Sequence, residues 1–182
     1  NYLTKSDFKV ARSCATKLYY KKLGYPTNSQ MTPYMKSLSE GGFILGKMAR
    51  LLYPEGVEVG VYDSVEKAIA QTKILLKQKN ITLFEPVIYS DRKLVRVDIL
   101  VKQGNQIQLI EVKSKQFNSI ENERQIQERG INIFRGKREG KVNSIWRPYI
   151  EDLAYQTWIL AEMLREENGD AEHSQLTLHI FR

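Results

Sequence analysis

Apolar residues in the first part of the chain recur every three or four positions, the spacing of one helix face. Phe8, Ala11, Ala15, Leu18 and Tyr19 keep this period after Thr4-Lys5-Ser6-Asp7. A hydroxyl followed three residues later by an acid is a capping-box signal. Gly24 and Pro26 end the predicted helix. A second helix is expected from about Gly42 to Leu52, with Phe43, Leu45, Gly46, Ala49 and Leu52 as candidate buried positions, and Pro54-Glu55-Gly56 stops it. A third begins near Ser64 and carries Val65, Ala68, Ile69, Thr72, Leu75 and Leu76.

The period then changes to that of extended chain. Ile81 to Tyr89, Lys93 to Lys102 and Gln106 to Lys113 read as three strands. Asn118 to Asn143 is charged and dotted with glycine, and Arg135 to Lys141 reads as a basic loop, with Glu121 to Arg129 as a possible short helix. Trp146-Arg147-Pro148 opens a last helix with Ile150, Leu153, Ala154, Trp158, Ala161 and Leu164 on its apolar side and Asn168-Gly169 at its end. Leu176 to Phe181 alternates like a strand. Helices, three meandering strands, a helix and a strand make an α+β pattern, a central mixed sheet flanked by helices.

Gly104-Asn105 suits a two-residue hairpin turn. Gln103 then pairs with Gln106, and counting back places Asp98 opposite Glu111. The register sorts the side chains. Val97 with Val112, Ile99 with Ile110 and Val101 with Gln108 form a nearly apolar face expected to pack on a helix. Arg96 with Lys113, Asp98 with Glu111 and Leu100 with Leu109 form the other. A slip of one residue would mix the faces.

The 182 residues fit a single domain, 1–182, with ordinary globular composition at 42% hydrophobic and 27% charged. A net charge of +7 makes a polyanion, nucleic acid or a membrane surface, a candidate partner. Cys14 is the only cysteine, so no intrachain disulfide forms, and His173 and His179 do not make a zinc cluster. No run is long and apolar enough to span a bilayer. The expectation is a cytoplasmic protein with no membrane association. A first residue other than Met, and an end within a strand-like run, read as a fragment whose full-length protein has other domains.

Two carboxylates directly opposite each other destabilise a sheet unless one is protonated or a cation lies between them. Magnesium-like cations take oxygen ligands, often one or two carboxylates completed by phosphate and water. Lys113, two residues beyond Glu111, shares its face and can hold an attacking water or a phosphate oxygen. Glu85 would join the row if Asp91-Arg92 is also a two-residue turn, although arginine disfavours the positive φ of such a turn.

Arg-Val-Asp98-Ile-Leu followed by Ile-Glu111-Val-Lys113-Ser-Lys resembles the core of the PD-(D/E)XK nucleases, closest to their RecB-nuclease-like branch. Thr4-Lys5-Ser6-Asp7 to Cys14-Ala-Thr-Lys17-Leu-Tyr-Tyr resembles the opening helix of that branch, and Tyr149 to Gln156 resembles its late, glutamine-bearing helix. The similarity runs from about Leu3 to Leu164. It implies a restriction-endonuclease-like core, a DNA substrate and Mg2+ or Mn2+ held by Asp98 and Glu111, with Lys113 assisting phosphodiester hydrolysis. Two departures stand out. Gly46 is followed by Lys47-Met48-Ala49-Arg50 where many members carry a histidine, which either leaves the metal site incomplete or makes Glu40 or Glu85 a substitute ligand. Several members hold an iron–sulfur cluster through one early and three late cysteines; Cys14 matches the early one, so this chain alone forms no cluster.

Plainer roles compete. Asp98, Glu111 and Lys113 can be a solvated face with a salt bridge. Lys115, Lys47 and Arg50 can contact phosphate or be ordinary surface charge. Gln156 can orient substrate or be a polar helix position. Tyr155 and Trp158 read as core, and Cys14 as a small buried residue. The rival functions are a non-catalytic nucleic-acid-binding domain of the same fold and an interaction domain.

Overall fold

The computed structural model describes residues 2–26, 30–60, 64–115, 117–136, 140–168 and 175–181, the last segment and residue 168 by backbone only. Gly169, His173, the His179 side chain and residues 137–139 of the basic loop lie outside the described residues.

The chain is α+β, with six helices among the described residues and two mixed sheets in place of the single sheet expected. The smaller sheet has the order β1(Leu3–Thr4), β5(Lys93–Arg96), β4(Val87–Ser90). The larger runs β2(Val57–Glu58), β3(Asn80–Phe84), β6(Ile99–Gln103), β7(Gln106–Val112), β8(Gln175–Phe181). Two of the expected strands are each divided, at Glu85-Pro86 and at Val97-Asp98. Phe84 pairs with Ile99 and Val87 with Arg96, so the register continues unchanged across both breaks. The β3–β6 and β4–β5 ladders are therefore the two halves of one long bent hairpin, shared between the sheets. Its tip is Asp91-Arg92, both at positive φ (41° and 60°), so the two-residue turn forms despite its arginine.

At the second hairpin, Gln103 pairs with Gln106 and Ile99 with Ile110, the register read from Gly104-Asn105. Both faces of this ladder are covered. Ile99, Val101, Ile110 and Phe84 pack with Ala49 of α3(Pro33–Arg50) and with Tyr53 and Val112. Gly56 passes against the Phe84 ring, where a Cβ has no room. Leu83, Leu100, Ile107 and Leu109 pack under Leu153, Ile159, Leu160 and Met163 of α6(Arg147–Asn168). Val97 joins this second cluster and not the Ile99 face, because the chain bends between them.

The helices depart from expectation in informative ways. Thr4 caps α1(Lys5–Ser13) with a reciprocal capping box to Asp7. Cys14, in extended conformation, separates it from α2(Ala15–Lys22), and the thiol is exposed rather than buried. Asp7 is buried and binds Lys21 (2.7 Å) and Lys22 (2.6 Å), tying α2 back to α1. Helix α3 starts nine residues earlier than Gly42, at Pro33 after an N-capping Thr32. Phe43 and Leu52, expected inside, are exposed. Ser64 caps α4(Val65–Leu75), which buries Ala68 and Thr72. Helix α5(Ser119–Arg129) forms in the charged stretch. On α6 the buried stripe is Asp152-Leu153, Tyr155-Gln156, Ile159-Leu160 and Met163. Trp158 is half exposed, with Lys93 over its ring, and Tyr155 stacks on Phe8 at 4.3 Å.

Candidate active site

The bend in the long hairpin is where the acids gather. Asp98 sits just before β6, where the backbone leaves the ladder. Its side chain takes over the pairing, with Oδ2 accepting the Val112 N–H at 2.7 Å. Its carbonyl accepts the Glu85 N–H at 3.1 Å. Extending the β6–β7 register by one residue sets Asp98 opposite Glu111, the placement deduced from the turn.

Glu111 is 1% exposed and enclosed by donors. Lys5 Nζ lies 3.0 and 3.2 Å from its two oxygens, Gln156 Nε2 donates to Oε2 at 2.9 Å, and Lys113 Nζ binds Oε1. Lys113 also lies 3.6 Å from Asp152 Oδ2, and Lys9 Nζ 2.9 Å from the same oxygen. Asp152 is 1% exposed, yet neither of its oxygens receives a well-directed hydrogen bond. Local geometry explains this assembly. Lys5 and Lys9 are one turn apart on α1, Asp152 and Gln156 one turn apart on α6, and Glu111 and Lys113 alternate onto one face of the β7 strand and its extension. The three edges meet to give an alternating row, Lys5–Glu111–Lys113–Asp152–Lys9.

The two central carboxylates differ in environment. Burial, then the charge on Glu111, pushes Asp98 up to about 6, against the opposing pull of the Val112 N–H, Lys5 and Lys113. Burial also acts to raise Glu111, but Lys5, Lys113 and the Gln156 amide outweigh it and hold that carboxyl below its ordinary range. Lys113 is desolvated, which favours loss of its proton, but Glu111 and then Asp152 and Asp98 reverse this and raise it.

Asp98, Glu111 and Lys113 line a cleft of about 490 Å³ together with Lys5, Glu85, Phe43, Lys47 and Arg50. Of the other residues singled out in sequence, Lys47 and Arg50 reach the cleft from α3, and Gln156 reaches Glu111. Glu85, at φ 54°, lines the cleft but is bound to Arg50 at 2.9 Å, which also binds Glu58. Glu40 does not line this cleft but borders a neighbouring shallow hollow with Ser39, Phe43 and Ile44. Lys115 also lies outside it, over the rings of Trp146 and Tyr149. Among the described residues, no three histidine, cysteine, aspartate or glutamate side chains are grouped to hold a metal ion. What the donor set offers is a pair, Asp98 and Glu111. Lys5, Lys9 and Asp152 were missed in sequence. Only the helical pairing of Asp152 with Gln156 on a buried stripe signalled any of them.

Among the described residues no helix is long and apolar enough to cross a membrane. No protein-family model, curated protein or solved structure matches this chain.

Proposed function

We propose that this chain is a metal-dependent deoxyribonuclease domain that hydrolyses DNA phosphodiesters, with a restriction-endonuclease-like core of the PD-(D/E)XK type acting in the cytoplasm. The observation that carries this reading is the Asp98–Glu111 pair, two carboxylates on neighbouring chain segments at the head of a cleft, with Lys113 beside them. Asp98 resists ionisation next to Glu111, and a divalent cation between them would relieve that repulsion. Two carboxylates leave room for phosphate and water in a magnesium or manganese shell, so the residues fit such an ion. When bound, the cation offsets charge developing on the phosphate and makes water more acidic. Asp98 and Glu111 would hold it, and Lys113 would donate to the attacking water or a phosphate oxygen. Lys47 and Arg50 supply positive charge at the cleft wall for the backbone of the nucleic acid, which makes binding salt-sensitive.

The test is cleavage of single- and double-stranded DNA with Mg2+ or Mn2+, beside Glu111→Ala and Lys113→Ala. Cleavage lost in both variants is the expected result; cleavage unchanged in both overturns the assignment. A second reading, a non-catalytic DNA-binding domain, is favoured by one observation: both oxygens of Glu111 are already engaged by Lys5, Lys113 and Gln156. Salt-sensitive DNA binding without cleavage would select it.

A further inference from the structure

Glu111 binds two ammonium groups and an amide, so a cation that reaches it must first displace a lysine. One of those lysines has somewhere to go. Lys113 Nζ stands 3.6 Å from Asp152 Oδ2, and a shift of about 1 Å brings it to hydrogen-bond length. Asp152 is buried, charged and short of directed donors, a poor arrangement for a carboxylate that serves only packing. Its other ammonium contact, Lys9, is half exposed and free to turn to solvent.

We infer that Asp152 is a positioning residue: it receives Lys113 when a divalent cation enters between Asp98 and Glu111, opening one acceptor position on Glu111 Oε1, where Lys5 remains, and holding the ammonium beside it. The inference rests on the cation reading above. Without the charge on Asp152, Lys113 stays on Glu111 and competes with the cation. Outer-shell partners of metal ligands contribute about 10- to 100-fold in affinity, and Asp152 acts at one remove from Glu111, through Lys113.

The experiment is calorimetric titration of the whole chain with Mn2+, without DNA, for the wild type, Asp152→Asn, Lys113→Met and the double variant. Circular dichroism first establishes that each is folded; Asp152→Asn keeps the side-chain volume. The expected result is Mn2+ binding weakened about 10-fold by Asp152→Asn, tightened by Lys113→Met, and indifferent to Asp152→Asn once Lys113 is methionine. Equal weakening in both backgrounds would mean that Asp152 acts on the cation or the fold directly, and overturns the inference. No change in either background also overturns it, while the cation reading stands. Absence of Mn2+ binding by the folded wild type overturns both.

Discussion

Helices α6 and α3 cover opposite faces of the same β-ladder, yet they are held very differently. Helix α6 buries a stripe from Asp152 to Met163, and its two polar members face the row of charges at Glu111. Helix α3, 18 residues long, buries only Ala49 and leaves Tyr34, Leu38, Phe43 and Met48 exposed. The cleft lies between a floor fixed by packing and a wall that buries a single residue, Ala49, and is otherwise tied by the ion pairs of Arg50. In such a design, residues that set the geometry of chemistry come from the floor, and residues that meet a variable polymer come from the wall.

The contrast is tested first where the effect should be largest. Leu160→Ala on α6, at a fully buried site, should cost about 2–5 kcal/mol in a denaturant melt. The matching change on α3, Leu38→Ala, should cost less than about 0.5 kcal/mol, and an equal loss would mean that α3 is as embedded as α6.

Next comes the charge on the floor. The folded-state pKa of Asp98 is raised to about 6, so between its unfolded value and pH 6 the folded chain keeps a proton that the unfolded chain releases. Stability contributed by this group is present at low pH and is lost as pH rises through that window. Glu111, held low, acts oppositely: its contribution is present at neutral pH and disappears on acidification. Without divalent cations, Asp98→Asn should therefore raise stability at pH 7 to 8, on the order of 1–3 kcal/mol, and flatten the pH 4 to 6 slope of the melting temperature. A variant as pH-dependent as the wild type would place the repulsion elsewhere.

Gln156→Leu removes the amide that binds Glu111 and should cost about 1–3 kcal/mol, because a buried acceptor loses a donor. A small effect is also expected at the charged end of the wall. Arg50→Ala should change stability by less than about 1 kcal/mol, since its ion pairs are partly exposed, but should reduce the salt dependence of DNA binding.

Much of the floor was legible in the sequence because strand alternation has a period of two and cannot be slipped without cost. Gly104-Asn105 located one hairpin, and from it followed the opposition of Asp98 and Glu111. The Asp91-Arg92 turn was harder. Arg92 is unsuited to positive φ, yet the pairing and packing on either side impose it, as tertiary context overrides local preference. Thr32-Pro33 carried a helix-start signal, but the glycines at 41 and 42 obscured the continuity of α3. The break at Cys14 has no glycine or proline to announce it. Lys5 was out of reach for another reason. Lys5 lies 106 residues from the glutamate it binds, and no local pattern encodes such a meeting.

The bend at Val97-Asp98 has a consequence for motion. Glu111 lies in β7, bonded on one side to β6 and on the other to β8, whereas Asp98 stands where the ladder is interrupted. Amides of β7 should exchange with solvent only through near-global opening, while those around Asp98 should exchange through local excursions. The two acids thus belong to parts of the chain with different clocks, so that one can adjust to an incoming ion while the other stays still.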